Sequence, residues 1–544
     1  MHGAWLHQIK HTDRSLLVMC LTSIATVCIA LATATSALGR TFHVPTEAPT
    51  IQAGLDSLQD GDTVAVALGT YAEAPVAPPL HFVLRGDVMP DTGDYPRPIL
   101  DPTSLPGPDT LHSLLLPTDS HPVLEDLGFR HAHGIQSFAS DPVLRRVIGD
   151  SVAYFLHDLY PDSAVIVVED CRFLNGAGLA IFTQRASVRA SDCEFAAGQG
   201  GGGAFGFDHS RFLRCRFQAE VAPAGFMLVV CGMDIQVEDC VFGPGLFDSS
   251  GSSPLSVVSP RDVHVLRNTF TDCLEGNDVL DIVADSAEGV EVADNTFIGC
   301  AGNFGVIRPR WMESPPLQNS LGTFSGNQIV MCRSSGSHWT GNALTLTTAI
   351  KLYNNHFFHL EHNGRPATYT YCPGTPDSGV CLHDNLFFDT GIAMVNDYGE
   401  GEDARWNWWG DSTGPYHQTQ NPNGHGDGIV GNVDFTPWYP DTSFLEEVRR
   451  IRAPLPERFI TEAYPNPFNS TVILTLIPSE TAIVRVELFD VLGRRVQELW
   501  SGPLAHQKTI RFDGSHLASG LYFVRVWEPI ENRPLALTKL MLLK

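Results

Sequence analysis

Val168-Glu-Asp-Cys171-Arg-Phe173 is the stretch that decides the fold, because its pattern recurs as far as Leu382-His-Asp-Asn385-Leu-Phe387. Each repeat holds an apolar residue, two variable residues, Cys or Asn, one further residue and an apolar, usually aromatic, residue. The repeats begin at Val168, Ala190, Phe212, Val237, Val265, Val292, Phe324, Leu352 and Leu382, and successive repeats are 22 to 32 residues apart. Short strands separated by loops of variable length predict a β-solenoid.

Two columns of side chains follow from this pattern. The Cys or Asn and the aromatic residue are two positions apart, so both point to the same face of a strand. If each repeat is one coil of a parallel β-helix, equivalent residues stack about 4.8 Å apart. One column is a continuous inward stack of Phe173, Phe195, Phe217, Phe242, Phe270, Phe297, Phe357 and Phe387. The other is a ladder of Cys171, Cys193, Cys215, Cys240, Asn268, Asn295, Asn327, Asn355 and Asn385.

Each ladder asparagine can donate its side-chain amide to the carbonyl of the next coil, and a buried Cys can occupy the same position as a small apolar residue. Cys273, Cys300 and Cys332 follow ladder asparagines by five residues and form a second cysteine column. Exported chains often join their cysteines in disulfides. The register favours buried thiols over disulfides for these seven residues. Cys372 and Cys381, which flank a turn-rich segment, are the predicted disulfide pair.

Composition excludes several classes of function. The 544 residues carry a formal net charge of −26, and Lys351 is the only lysine between Lys10 and Lys508. Nucleic acid is therefore not an expected partner, since phosphate binding needs clustered Lys and Arg. A basic start, an apolar run over residues 16–32 and small residues up to Ala37 predict a signal peptide over residues 1–39, with an uncleaved anchor as the alternative. We expect no membrane span after signal removal.

Both ends of the repeat region resemble pectin-lyase-like β-helices. Residues 43–73, with Thr50-Ile51-Gln52-Ala-Gly-Leu55 and Asp60-Gly61-Asp62-Thr63-Val64, resemble the segment in which a short amphipathic helix covers the end of the coil. Thr50 is the expected N-cap, with Ile51, Leu55 and Leu58 on one face. Trp406-Asn407-Trp408-Trp409-Gly410 resembles the closing coil, where Asn407 extends the ladder and Trp409 extends the aromatic stack.

The resemblance covers about residues 41–440 and implies an all-β fold, a right-handed parallel β-helix solenoid. The repeats predict about ten coils, a length of about 50 Å. The resemblance says little about activity, because this fold carries lyases, hydrolases, esterases and adhesins.

The character of the sequence changes after Asp441. A Glu- and Arg-rich linker over residues 441–456 leads to Tyr464-Pro465-Asn466-Pro467-Phe468-Asn469 and to alternating segments Thr471–Ile477 and Ile483–Phe489. With Leu517-Ala-Ser-Gly520-Leu521-Tyr522-Phe523, these motifs resemble the type A sorting domain of the type IX secretion system. The resemblance implies a small C-terminal Ig-like β-sandwich over residues 457–544 that is recognised by the outer-membrane secretion machinery. A generic Ig-like sandwich is the alternative.

No catalytic residue is predicted. Gly424-His425-Gly426 resembles a polygalacturonase segment, but the Arg-Ile-Lys and Asn-Thr-Asp partners of that family are missing from the sequence. An outward charged column precedes the ladder and consists of Asp170, Asp192, Arg214, Asp239, Arg267, Asp294 and Asp384. Its acidic members Asp170, Asp192, Asp239 and Asp294 can hold Ca²⁺ or form the paired carboxylates of glycoside hydrolysis. The interleaved arginines favour the alternative, a solvated face of mutually offset charges. Apart from this Ca²⁺, neither a metal nor a cofactor is expected.

A second candidate site combines cationic and aromatic residues, Arg308, Arg310 and Trp311, which can form a platform for sugar rings. The sequence therefore predicts a β-helix over residues 40–440 that binds glycan or protein without catalysis. The sorting tail would deliver it outside a Gram-negative-type bacterium, secreted or on the cell surface. A polysaccharide lyase or glycoside hydrolase with an unrecognised acidic site and a structural or adhesive rod remain the alternatives.

Overall fold

The computed structural model describes residues 39–542, except 88–95, 106–111, 132, 153, 159–163, 177–179, 198–202, 220–226, 247–252, 259–261, 275, 285–288, 312–321, 335–340, 347–349, 361–363, 371–380, 398–400, 445–459, 465, 467, 478–481, 491–494, 505–507, 518–519 and 529–532. The predicted signal peptide, except residue 39, and most of the predicted linker lie outside the described residues. The chain divides into two compact units, Met1–Arg189 and Ala190–Lys544.

The first unit is a coil of short strands that form three parallel sheets. The first sheet contains Thr41–Val44, Thr63–Val66, His81–Gly86, His121–Glu125, Val143–Arg145 and Val165–Glu169. The second sheet contains Thr70–Tyr71, Ile99–Leu100, Gly128–Arg130, Ile148–Asp150 and Arg172–Gly176. The third sheet contains His112–Leu116, His133–Ser137, Leu156–Asp158 and Ile181–Phe182. A 3-10 helix, Pro102–Ser104, lies between strands, and the strand Ser187–Ser191 spans the boundary of the two units.

The second unit repeats the same three-sheet coil. Its first sheet contains Arg211–Leu213, Ile235–Glu238, Val263–Leu266, Val290–Ala293, Gly322–Ser325, Ile350–Tyr353, Cys381–His383, Glu402–Asp403 and Val433–Asp434. The second sheet contains Glu194–Ala197, Arg216–Ala219, Val241–Phe242, Thr269–Thr271, Thr296–Ile298, Gln328–Val330, His356–Phe358 and Leu386–Phe388. The third sheet contains Ala204–Gly206, Leu228–Cys231, Leu255–Val258, Leu280–Ala284, Ile307–Trp311, Leu344–Leu346, Pro366–Thr370, Ile392–Asn396, Gly426–Val430 and Pro415–Tyr416. Two short pairs, Gly245–Leu246 with Cys273–Leu274 and Ala301–Gly302 with Arg333–Ser334, lie beside them.

The strand pairing confirms the predicted right-handed parallel β-helix, since strands that pair in parallel in successive coils need crossovers, and these are right-handed. The predicted number of about ten coils is wrong. The described residues place six first-sheet strands in the first unit before Ser187–Ser191 and nine in the second unit after it. The early coils escaped the repeat pattern because Leu127 and Val147, not Cys or Asn, occupy their ladder position.

One residue with a left-handed backbone makes the corner between the first and second sheets, and the ladder residue follows it. Examples are Asp239 (φ 55°), Gly326 (φ 65°) and Asn354 (φ 55°), residue types that adopt this conformation readily. The ladder asparagines are buried, with at most 2% of each residue exposed. Their Oδ1 atoms accept the backbone N–H of the preceding ladder residue at 2.8–3.1 Å. Their Nδ2 atoms donate to a backbone carbonyl of the preceding coil at 2.7–2.9 Å.

Cysteine occupies the same ladder position in earlier coils and, like asparagine, both accepts and donates hydrogen bonds there. The Sγ of Cys240 accepts the N–H of Cys215 at 3.4 Å and donates to the carbonyl of Phe212 at 3.5 Å. Cys215, Cys240, Cys273, Cys300 and Cys332 are buried free thiols, and the buried thiols of Cys171 and Cys193 donate to backbone carbonyls of their own turns. Burial raises the pKa of the Cys215 thiol. The predicted disulfide stays a prediction because Cys372 lies outside the described residues.

The aromatic stack is interrupted, whereas the sequence predicted a continuous one. Phe195, Phe217, Phe242, Phe270 and Phe297 stack face to face with ring centroids 4.6–4.9 Å apart. The aliphatic Ile329 then takes the position, and stacking resumes from Phe357 through Phe387 to Trp409 at 4.7 and 4.9 Å. In the first unit Gly149 holds the position, and Phe155 fills the space that a side chain would need, since a Cβ there would lie 2.3 Å from its ring.

The N-terminal end of the coil carries the expected helix, Ile51–Leu55. Thr50 is its N-cap and its hydroxyl accepts the N–H of Ala53 at 3.1 Å. Ile51 and Leu55 are buried against the first coil, and Leu58 is half-buried beyond the helix. At the C-terminal end, Asn407 closes the ladder by donating to the carbonyls of Leu382 and Ala404, both at 2.7 Å.

The C-terminal domain consists of two antiparallel sheets. One contains Ile460–Tyr464, Thr471–Ile477 and Lys508–Asp513, and the other contains Arg495–Leu504, Ala482–Asp490, Gly520–Glu528 and Arg533–Leu542. Alternate residues of both sheets, among them Leu474, Val486 and Val524, share one buried core. This arrangement is the small β-sandwich that the sequence predicted.

Candidate functional site

The predicted acidic column lies at the sheet corners and not on a strand face. Asp170, Asp192, Arg214, Asp239, Arg267, Asp294 and Asp384 all have left-handed backbones, with φ between 52° and 60°. The sequence pattern placed them on an extended strand, where they would alternate with the ladder residues. The chain bends at this corner between the first and second sheets, so the charged side chains lie in a row along the corner.

Arginine neutralises two of the four aspartates proposed as ligands. Arg214 makes two hydrogen bonds of 2.7 Å to the carboxylate of Asp192. Arg267 holds Asp239 at 2.9 and 3.0 Å and reaches Glu238 at 2.6 Å, and these carboxylates raise its pKa. Asp170 is exposed, and Gly326 follows Asp294 at the same corner in the next coil. The geometry of Asp192 and Asp239 is that of offset surface charges, which stabilise little per pair.

Arg308 lies on the third sheet, away from the corner column. Its Nε is 2.9 Å from Oδ2 of Asp278, a completely buried carboxylate, and its guanidinium lies 4.3 Å from the ring centroid of Phe304. Asp281 faces Arg308 in strand register. The side chains of Arg310 and Trp311 lie outside the described part of the chain, so the proposed platform of three residues stays a prediction.

The outer face of the third sheet has a regular construction in the first unit. Two successive buried residues lie at or next to the start of three of its strands: Ser113-Leu114, Gly134-Ile135 and Phe155-Leu156. The half-buried residues on either side of each pair therefore lie outside the coil. Before the pairs stand His112, His133 and Tyr154, and after them stand Leu115, Gln136 and His157.

These residues form a continuous group of rings, which we call the ring cluster: His112, His133, Tyr154, His157 and Phe182. The ring centroids of His112 and His133 are 5.9 Å apart, and His133 stacks on Tyr154 at 5.6 Å. Tyr154 stacks on His157 at 5.3 Å, and His157 meets the edge of Phe182 at 5.2 Å. Every member is half-buried, so ring surface remains exposed.

Two histidines of the ring cluster have lowered pKa values. Burial lowers the pKa of His112, and the neighbouring His133 and His157 lower it further. Burial and His133 lower the pKa of His157. Nδ1 of His112 is buried and has no hydrogen-bond partner among the described residues. The cluster therefore offers partly exposed aromatic surface, which suits a ligand that stacks on it.

Sequence reasoning missed the ring cluster, although a signal existed. His112, His133 and Tyr154 are spaced by 21 residues each (133 − 112 and 154 − 133), which is the length of one coil in this part of the chain. The signal is weak because two of the three are histidines and one is a tyrosine, and because the surrounding coils lack the ladder motif.

The described residues contain no group of three or more His, Cys, Asp or Glu side chains that could hold a metal ion. Nor do they include a helix long and apolar enough to cross a membrane.

Residues 462–532 match the model of a family described as the secretion system C-terminal sorting domain. No curated protein matches the chain. Among solved structures, the chain is similar to tailspike protein 3 of bacteriophage CBA120, with 12% identity over 59% of this chain and 58% of that one, at a TM-score of 0.24. It is similar to the Dettilon tailspike protein with 9% identity over 92% of this chain and 93% of that one, at a TM-score of 0.26.

This chain thus spans 58% of the length of tailspike protein 3. At these TM-scores neither likeness bears on function, and the β-helix assignment depends on the strand pairing. The C-terminal match agrees with the predicted motifs, with the strand Thr471–Ile477 and with the two-sheet sandwich. The chain therefore carries a type IX secretion sorting domain and is a secreted or cell-surface protein of a Gram-negative-type bacterium.

Proposed function

We propose that this exported β-helix is a non-catalytic glycan-binding module whose ligand lies on the ring cluster. The observation that carries the proposal is the contiguity of five half-buried rings on one outer face, with centroid separations between 5.2 and 5.9 Å along the chain of contacts. Flat ring surfaces stack on the apolar faces of sugar rings, and a solvent-facing sheet keeps them in fixed positions.

The chemistry of the cluster favours sugar over a protein ligand. Three of its five members carry ring nitrogens and Tyr154 carries a hydroxyl, so four of the five rings combine an apolar face with a hydrogen-bonding group. Protein-binding patches are built around larger apolar anchors with charged groups depleted at their centre. A coil with parallel strands about 4.8 Å apart also presents its rings in a row, which suits an extended polymer.

The test is binding of neutral polysaccharides by the secreted full-length chain at neutral pH. Dextran, xylan and mixed-linkage glucan serve as probes in affinity electrophoresis, with Tyr154→Ala as the test variant. We expect retardation by at least one polymer and an at least tenfold weaker affinity in the variant, because Tyr154 contacts three other rings of the cluster.

Phe388→Ala is the matched control, because Phe388 is 43% exposed but lies on the second sheet of the other unit. It should bind like the unaltered chain. Equal binding by Tyr154→Ala and the unaltered chain would place the ligand elsewhere. A complete lack of retardation would favour a structural or adhesive rod.

A polysaccharide lyase or glycoside hydrolase is the second candidate, supported by Asp278 and Asp281 near Arg308 on the third sheet of the second unit. Arg308 already pairs with Asp278 at 2.9 Å, which favours a structural role for that carboxylate. Release of reducing ends or unsaturated sugars from the same polymers, lost in Asp281→Asn, would support an enzyme over a binding module.

A further inference from the structure

We infer that the ring cluster becomes selective for anionic glycans, those with sulfate or carboxylate groups, when His112 and His157 take up protons. This inference rests on the proposed function and names the ligand class of the same site. It starts from a contrast between the cluster histidines and eight other histidines of the chain.

Eight histidines outside the cluster have a carboxylate within 2.8–3.7 Å: His43, His81, His121, His131, His209, His264, His359 and His383. A proton on any of these is neutralised locally. His112, His133 and His157 have no carboxylate within ion-pair distance among the described residues. In a chain of net charge −26, they are an uncompensated group of potential cations.

The groups that face the cluster from the neighbouring strands support this reading. The charged groups that act on the pKa of His112 are His133 and His157, and the one that acts on His157 is His133. Asp158 follows His157 but is completely buried, and it accepts hydrogen bonds from the Ala139 N–H at 3.3 Å and the Thr183 hydroxyl at 3.4 Å. Gln136, on the same outer face, is neutral, as are Phe182 and the strand residue Leu115.

Protonation therefore creates positive charge that no carboxylate of the described residues neutralises within ion-pair distance. Burial and the neighbouring imidazoles oppose this charge on His112 and His157 in the free protein, so it develops in mildly acidic solution. A bound sulfate or carboxylate favours the protonated imidazoles, and by linkage the affinity for the anion rises as pH falls. A neutral glycan gains nothing from the added charge.

The experiment compares three polymers that share one backbone: dextran, carboxymethyl dextran and dextran sulfate. Binding to the full-length chain is measured at about pH 7.5 and about pH 5, on either side of the ordinary histidine pKa. We expect dextran sulfate to bind about tenfold more tightly at the lower pH, because protonated imidazoles attract its sulfate groups. The affinity for dextran should not rise. Carboxymethyl dextran separates carboxylate from sulfate ligands.

The double variant His112→Gln/His157→Gln should lose the gain in affinity for dextran sulfate between the two pH values. The loss of two rings should weaken binding of dextran by the same factor at both pH values, so the ratio of the two affinities is the readout. His121→Gln is the control, because His121 lies on the first sheet of the same unit and pairs with Asp141 at 3.4 Å. The carboxylates of the whole chain also take up protons in acid, which reduces repulsion of dextran sulfate. This effect is the same in the control and in the double variant, so the comparison removes it.

A gain that persists in the double variant would overturn the inference by placing the titrating groups elsewhere. Binding of dextran sulfate that does not change with pH would also overturn it, while leaving the proposed function intact if dextran is still bound. If no polymer binds at either pH, the proposed function fails and the inference fails with it.

Discussion

Replacing Glu402 by Gln should stabilise the closing coils of the second unit, the strands Glu402–Asp403 and Val433–Asp434, at neutral and alkaline pH. Asp403 points outward to Arg405, so Glu402 points into the coil, where it is only 6% exposed. Burial raises its pKa to about 8, although the nearby Thr370 hydroxyl lowers it. Oε2 of Glu402 has no hydrogen-bond partner among the described residues.

The size of the effect follows from this pKa. The folded-state pKa is raised from the usual 4.5 to about 8, so the side chain causes no loss of stability below pH 4.5. Between these values the folded state holds a proton that the unfolded state releases, and stability falls by about 1.4 kcal/mol per pH unit. The loss is about 3 kcal/mol at pH 7 and about 5 kcal/mol above pH 8, and a neutral Gln avoids it.

Hydrogen exchange followed by mass spectrometry is the appropriate assay, because coils of a solenoid open locally and not all at once. Peptides that cover residues 402–404 and 433–435 should exchange at equal rates in the two proteins near pH 4.5. Exchange in the Gln variant should become progressively slower than in the unaltered chain as pH rises to 8.

The matched control is Glu291→Gln, which removes a carboxylate from the outward face of the same sheet and leaves the interior unchanged. Its closing-coil peptides should exchange like those of the unaltered chain. A Glu402→Gln variant that is less stable at all pH values would refute the argument, because it would mean that the carboxylate makes an essential contact. A stability difference independent of pH would refute the assigned titration.

Three further predictions concern the ladder and the tail. Asn295→Ala should reduce the local stability of its coils by about 3 kcal/mol, since it removes hydrogen bonds with Asn268, Val265 and Asn327. Hydrogen exchange of residues 263–298 measures this loss. Asn295→Cys should reduce stability less, because Cys240 occupies the equivalent ladder position in an earlier coil. Glu487→Ala should lower the free energy of unfolding of the C-terminal domain by about 3 kcal/mol, because Glu487 accepts hydrogen bonds from Arg495 at 2.9 Å and Arg525 at 2.7 Å. A lower melting temperature of this domain would show the loss. Removal of residues 457–544 should leave the β-helix inside the cell envelope, which fractionation and immunoblotting would detect.

The parts of the fold that the sequence predicted are those where one residue type does one task in every coil. Asn suits the ladder because its short side chain carries both a hydrogen-bond donor and an acceptor. The same residue type therefore occupies the ladder position in every coil from Asn268 to Asn407. The sequence pattern also identified the corner residues, but because they are Asp and Arg it suggested a Ca²⁺ site or paired carboxylates. Their backbone conformation explains Asp at these corners, and the ion pairs compensate for Arg214 and Arg267 there.

The ring cluster was not predictable in the same way because ligand contacts do not repeat one residue type. Gly149 and Phe155 show a similar limit of sequence patterns. Gly149 occupies the position of the stacked aromatic residue, and the ring of Phe155, six residues later in the chain, fills the space. Only the packing shows that Phe155 turns inward while Tyr154 and His157 face outward.

The separation between ladder and outer face has a consequence for how this protein can change its ligand. The ladder asparagines and the stacked rings lie inside the coil, and the third-sheet residues outside it make few of the contacts that stabilise a coil. The first unit uses this outer face for rings, whereas the third sheet of the second unit carries Arg308, which pairs with the buried Asp278. Substitutions on the face should therefore alter binding with little effect on stability, and ladder substitutions should do the reverse. A Tyr154→Ala variant that unfolds as readily as Asn295→Ala would contradict this division and would mean that the rings are part of the core.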